Sequence, residues 1–499
     1  MSRDCTRIFL LFLAALVLTL PTVGLRDITT SHEGRVAQTA RQMAAAGWPW
    51  NAERVLVPDV GWRIEGEVKR LEPDPKLPPL QVNPWIVPVI GGQARLQKPP
   101  LPYWVTAVMF KLFGVNEWAA RAVPAMMGAL LTLIVADLAR ILIHRRMAVW
   151  AAGIWISSYF VFDEFRKCMA DPYVAFFAMA AVWAWARAAS ERKSFHVLLF
   201  YAVLGLGFIA KGPAVFAFAI PGAIAASWSI KRRPAASIVT HLFGVVLLLL
   251  IALPWYLVVW RQVPNAVLLW KYESIGGFGD KNEKPQPIWF YLPQLFLITL
   301  PWTPLWIAGI VVAARRFQKD GFALLWLASA VLIFSVITQK KNAYLLPATA
   351  AQTLLATQGL RWLFATGRLR NRRPVAAIIG LLALGIAIGF TVNAELKENL
   401  RSAKAVGEEV ARVLSMHPEA ELDTSSLPAD AAFYLPLRPA RGSNVQWIVV
   451  DDRPNKVTPE SPIFRSNFRD RTIASVNRVP LQSSPADFRW KVFEVRLEP

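Results

Sequence analysis

The chain has 499 residues, 55 Lys+Arg against 34 Asp+Glu, and a formal net charge of +21. Such a charge on a soluble protein would suggest nucleic acid as a partner, but 55% apolar residues, 21 Trp, 28 Phe and a mean hydropathy of +0.37 exclude that class and exclude disorder. Two cysteines, Cys5 and Cys168, leave no room for a disulfide framework or a thiolate metal cluster.

What remains is a polytopic α-helical membrane protein. A helix needs about 20 mostly apolar residues to cross a bilayer. About eleven segments of that kind follow one another, at 8–25, 119–142, 147–162, 171–189, 195–210, 212–229, 236–260, 288–313, 321–338, 344–363 and 375–393. The first, preceded by Arg3 and Arg7 and running into Pro21, has the look of a signal peptide. It shows no small-x-small cleavage site, so it reads as an uncleaved anchor. With eleven spans, Arg3 and Arg7 share a side with five basic connections. These are His144-Arg145-Arg146, Glu191-Arg192-Lys193, Lys231-Arg232-Arg233, Arg315 to Lys319, and Arg368 to Arg373. Short loops rich in Lys and Arg stay cytoplasmic, which places the N-terminus inside and the C-terminus outside.

Residues 1–393 then form a transmembrane unit, with a large first outer loop at 26–118 and a second at 261–287. Residues 394–499 form a small soluble α/β domain, with helical spacing over Lys404–Leu414 and strands around Trp447–Val450 and Val492–Val495. Four prolines between Glu72 and Pro79 mark an extended insertion in the first loop.

The outer segments hold the chemistry. Thr30-Ser31-His32-Glu33 opens an amphipathic helix to about Gly47, with Val36, Ala40, Met43 and Ala44 on one face, suited to the membrane surface. Glu33 is either half of a capping box with Thr30 or a carboxylate held at the membrane boundary. Lys98-Pro99-Pro100 is a stiff lead-in to a short interfacial helix over Val105–Gly114, and its ammonium is either snorkelling or functional. Asp171-Pro172 has the form of an N-cap followed by a first-turn proline, and a cap can still border a cavity. Lys211-Gly212-Pro213 and Lys340-Lys341-Asn342-Ala343-Tyr344 put lysines on the side where positive charge is not retained. Cations at a bilayer edge usually have an anionic partner. Lys98, Arg166, Lys211, Lys340 and Lys341 together could surround a phosphate.

In their order, Glu33-x-Arg35, Lys98-Pro99-Pro100, Arg166 with Asp171, Lys211-Gly212-Pro213, Pro301-Trp302 and Lys340 followed by Tyr344-Leu345-Leu346-Pro347 resemble the motifs of the GT-C membrane glycosyltransferases. Within that class they resemble the group of lipid A aminoarabinose transferases and PMT-like protein O-mannosyltransferases, over residues 8–363. The resemblance implies transfer of a sugar from a polyprenyl-phosphate donor to a lipid A-type lipid or a protein, on the periplasmic face of the inner membrane. It implies Glu33 and Asp171 as the catalytic acidic residues, with Lys98, Lys211, Lys340 and Tyr344 holding the donor phosphate, to which the outer-face cations Arg166 and Lys341 are added on charge. No nucleotide is needed and no nucleic-acid partner is expected. No ligand cluster decides for or against a divalent metal.

The chain departs from the family in three places. His32-Glu33 stands where the family commonly has Asp-Glu. Tyr272-Glu273 is followed by Ser274 and glycines rather than Arg or His. About 30 residues are inserted between Trp48 and Trp85. A polysaccharide ligase or polymerase using lipid-linked sugar would share the cationic cavity. A transporter would place charges in mid-span and show repeated halves, which this sequence does not.

Overall fold

A computed structural model describes residues 3–65, 68–74, 76–231, 234, 236–276, 286–337, 340–394, 402–416, 420–423, 429–435, 445–451, 473–479 and 490–497. The chain is a multi-pass helical bundle, with a first loop and a C-terminal sheet region stacked at one end.

Among the described residues, six helices are long and apolar enough to cross a membrane. They are Asp4–Thr22, Glu117–Leu142, Ala170–Glu191, Ser194–Lys211, Ile238–Gln262 and Arg373–Asn393. The other five of the eleven apolar segments differ from simple spans. Residues 288–313 are two helices, Tyr291–Ile298 and Thr303–Arg315, bent by 118° at Pro301-Trp302, where the imide cannot continue the ladder. Residues 147–162 break at Ser157 and Ser158, whose hydroxyls donate to the carbonyls of Gly153 and Ile154 at 2.6 Å each. The helices Ala214–Ile230, Phe322–Ser335 and Thr349–Ala365 are shorter than a full span.

Small residues let these helices approach closely. Ala151, Ala175, Ala178, Ala181, Ala351 and Ala356 are wholly buried in the main core. The helices Thr303–Arg315 and Thr349–Ala365 cross where Gly309 meets the carbonyl of Leu355 and Gly359 meets that of Leu305. A Cβ at either glycine would lie 1.9 or 2.1 Å from the facing oxygen.

Both expected first-loop helices form, as Ser31–Ala45 and Leu101–Phe113, the second starting four residues earlier than the sequence suggests. The insertion between them has a β-ribbon base. Val55–Val57 pairs antiparallel with Leu80–Val82, and Val60–Glu65 pairs with Val68–Pro73 beyond it. Val57, Val82, Val87 and Val89 pack on Trp255, Val259 and Val263, so the loop rests on the end of the Ile238–Gln262 helix.

In the C-terminal region, the helix Lys404–Ser415 buries Val406, Val410 and Leu414 against Trp447, Val449 and Val492. The sheet order is 420–423, 445–451, 490–497, 473–479, with the first pair parallel and the others antiparallel. This region sits on the first-loop helix. Arg41 donates to the carbonyls of Phe433 and Leu435 at 2.7 Å each. At Gly34 a Cβ would come within 2.2 Å of the Asp430 nitrogen.

Candidate active site

The site lies at the end of the bundle opposite the basic loops. Antiparallel neighbours show this: Asp171, at the start of one helix, meets Lys211, at the end of the next, while Glu191, Arg192 and Lys193 join the same two helices at the other end.

Arg121 organises the first-loop side. It is fully buried in the first turns of the Glu117–Leu142 helix, so each of its donors needs an acceptor. Nε and Nη2 grip the Glu33 carboxylate at 2.8 and 3.0 Å. Nη1 also donates to the Val23 carbonyl at 3.0 Å and to that of Arg26, and Nη2 to that of Asp27 at 3.1 Å. Glu33 further accepts from Arg26 at 3.2 Å and from the Cys168 backbone N–H at 2.8 Å. Burial pushes the Glu33 carboxyl up, but the Arg121 and Arg26 guanidiniums outweigh it and hold it at about 2. Thr30 does accept from the Glu33 N–H, at 3.4 Å, but the Glu33 side chain goes to Arg121 rather than back to the cap, so only half of a capping box is present.

On the other side, the Lys211 ammonium pairs with Asp171 and sits 4.8 Å above the Tyr344 ring. Asp171 is not an N-cap: the helix begins at Ala170, Met169 stands at the cap position, and no side chain caps it. The carboxylate is drawn to Lys211 instead. Lys341, just before Tyr344, donates to His32 Nε2 at 2.9 Å and so joins this side to the first-loop helix.

Thus Asp171, Lys211 and Tyr344 come together, and Lys341 reaches the Ser31–Ala45 helix that carries Glu33. Arg166 serves elsewhere: it donates to the Thr22 carbonyl at 2.7 Å, with its guanidinium over Phe162 and Phe390. Lys340 is buried and donates to the Gln286 carbonyl at 3.0 Å. Lys98 is half-buried on the proline lead-in. Tyr272 and Glu273 have side chains outside the described residues. Among the described residues, no group of three or more His, Cys, Asp or Glu could hold a metal ion.

Arg121 and Arg26 were not legible as site residues from motif order. The available signal was Arg121 at the outer end of the apolar run 119–142, since a charge within a span points to function. A cavity of about 930 Å³ runs along the Ala214–Ile230 helix between Phe216 and Lys231, with His241 also on its wall. Phe200, Ile220 and Trp228 are among its walls.

Residues 97–260 match the family model described as dolichyl-phosphate-mannose-protein mannosyltransferase. An undecaprenyl phosphate-α-4-amino-4-deoxy-L-arabinose arabinosyl transferase of Pseudomonas fluorescens is 31% identical over 326 residues, 61% of this chain and 58% of that protein. An enzyme of the same description from Edwardsiella ictaluri is 32% identical over 287 residues, 54% and 51% of the two chains. The chain therefore spans between half and three fifths of the length of these curated relatives. The crystal structure of ArnT from Cupriavidus metallidurans bound to undecaprenyl phosphate superimposes with a TM-score of 0.72 at 19% identity, covering 98% of this chain and 97% of that one. The chain thus has the fold of the ArnT structure, and its residues 97–260 are similar to the mannosyltransferase family model, with arabinosyl transferases among its relatives.

Proposed function

We propose that the protein transfers a sugar from a polyprenyl-phosphate donor to a lipid A-type lipid or a protein, at the periplasmic face of the inner membrane. The observation that carries this reading is the convergence of Lys211, Tyr344 and Lys341 with the first-loop helix at one end of the bundle. The named activity of the arabinosyl transferase relatives supports it. The aromatic cavity along the Ala214–Ile230 helix is of a kind that suits an apolar chain.

In this reading the acceptor hydroxyl attacks the anomeric carbon and the lipid phosphate leaves. Lys211, Lys341 and Tyr344 stabilise the charge that develops on it, with Lys98, Lys340 and Arg166 adding to the positive potential. Transfer depends on both Asp171, which holds Lys211 over the Tyr344 ring, and Glu33, which fixes the first-loop helix through Arg121.

The test is mass spectrometry of lipid A and envelope proteins from cells with and without the gene. Loss of a sugar from either names the acceptor. Asp171→Ala and Glu33→Ala should abolish that sugar while the protein still accumulates in membranes. A lost surface polysaccharide with unchanged lipid A and protein would favour a ligase or polymerase, and no change in any glycan would favour transport.

A further inference from the structure

The cavity along the Ala214–Ile230 helix is apolar over most of its length and polar at one end. Phe216, Ile220, Ala223, Ser227 and Lys231 recur at three- and four-residue spacing, so one face of the helix and its C-cap supply a continuous wall. The helices Ser194–Lys211 and Ile238–Gln262 close it with Leu204 and Leu248. Ile220 and Ile224 are exposed, which puts this flank of the bundle against lipid. At about 930 Å³, the space is large enough for a bound molecule, in an interior that is otherwise close-packed.

The polar groups gather where Lys231 follows the last helical residue of one wall and His241 lies one turn into another. This is the end of the bundle that carries the basic connections, away from Asp171 and Lys211. The Tyr201 ring reaches His241 because residue 244 has no side chain: a Cβ at Gly244 would come 2.1 Å from Tyr201 Cδ2. The Tyr201 hydroxyl then lies 3.2 Å from His241 Nδ1. When the phenol donates this bond, the imidazole hydrogen sits on Nε2, which has no partner among the described residues. Ser227 Oγ accepts the Trp185 indole N–H at 2.7 Å, which leaves its own proton to be donated.

Lys231 is exposed and forms no ion pair among the described residues, and no carboxylate among them lines the cavity. One fixed positive charge and two neutral donors therefore stand at one end of an apolar slot on a lipid-facing flank. A small anion would leave the apolar stretch empty, and an uncharged lipid would leave Lys231 without a counter-charge. Basic pockets between membrane helices recognise anionic headgroups.

We propose that the slot binds an anionic diacyl phospholipid of the leaflet at the basic-loop end. Its phosphate lies at Lys231, His241 and Ser227, and one acyl chain lies beside Ile220 and Phe216. The chain fills the space between the three helices and so steadies the Ser194–Lys211 helix, whose opposite end presents Lys211 to Asp171. The proposal is independent of the transferase reading.

The experiment uses the full chain in detergent, titrated with phosphatidylglycerol, with phosphatidylcholine of the same acyl chains, or with inorganic phosphate. Bound lipid is read by native mass spectrometry and folding by thermal melts. Phosphatidylglycerol should bind about fivefold more tightly than phosphatidylcholine, the difference one lysine at a headgroup supplies, and should raise the melting temperature. Inorganic phosphate should leave the melting temperature unchanged. Lys231→Glu, at an exposed position, should remove the preference, whereas Arg145→Glu, on another basic connection of the same end, should keep it. Phosphatidylglycerol with a photoreactive acyl chain should label residues within 200–248. Equal binding of the two lipids, a preference that survives Lys231→Glu, or labelling elsewhere overturns the proposal. Loss of the label to an equal concentration of undecaprenyl phosphate also overturns it, and gives the slot to a polyprenyl chain.

Discussion

Glu33 carries more of the fold than its single charge suggests. Its two oxygens receive Arg121 twice, Arg26 once and the Cys168 amide, so one carboxylate joins three segments that are far apart in sequence. Removing one partner of a buried pair typically costs about 3–5 kcal/mol, because the remaining charge stays buried. Glu33→Gln should therefore lower the melting temperature in detergent markedly, with Arg121→Met giving no larger a fall. The pH dependence has a definite sign. The folded carboxyl titrates at about 2 against 4.5 unperturbed, so its stabilisation is complete above about pH 4.5. It is lost as pH falls through 2, and amounts to about 3 kcal/mol. Thermal melts between pH 6 and pH 3 should show this loss beginning in the wild type and absent from Glu33→Gln.

At the scale of elements, the contact between the first-loop helix and the C-terminal region joins apolar packing of Phe433 on Val36, Ala40 and Met43 to a set of polar contacts. The Tyr434 hydroxyl donates to Glu117 Oε1 at 3.0 Å and accepts the Ile28 amide at 2.7 Å. Lys404 reaches the same Glu117 oxygen at 2.8 Å, and Arg41 takes up the carbonyls that follow the short helix Ala429–Ala432. The close approach exists because residue 34 has no side chain. Gly34→Ala should push the two elements apart while leaving the bundle intact. Limited proteolysis is then expected to release the C-terminal fragment several-fold faster than in wild type. An unchanged cleavage rate would show that the interface absorbs a methyl group.

At the scale of the whole molecule, hydropathy made the helical bundle legible, and residue order pointed to the fold that the ArnT structure shares. Periodicity also located the two first-loop helices, the helix at Lys404 and the strands at Trp447 and Val492. The breaks were harder to read. Hydropathy sums over a window, so it passes straight through Ser157-Ser158 and the bend at Pro301, where the chain remains apolar while its direction changes. At the site, motif order singled out Asp171, Lys211 and Tyr344, but it could not see that Lys211 pairs with Asp171, that Arg166 turns to Thr22 or that Arg121 grips Glu33. Those partners lie 40, 144 and 88 residues away, and no local pattern encodes them.

Orientation is tested at this same scale. With Cys5 and Cys168 replaced, a Ser415→Cys variant should react with an impermeant maleimide in intact spheroplasts, and a His144→Cys variant only after lysis. The reverse pattern would invert the topology and move the site to the cytoplasm.

The ribbon that closes the first-loop insertion has a consequence for how the protein can be varied. Val55 and Val82 stand opposite each other across a two-strand base, so the 26 residues between them leave and rejoin the loop at neighbouring points. Whatever lies beyond that base is geometrically a cassette: its length and content are decoupled from the spacing of the two helices it separates. Homologues can differ there without retuning the bundle, and the tip offers a natural port for an epitope or fluorophore on this face of the membrane.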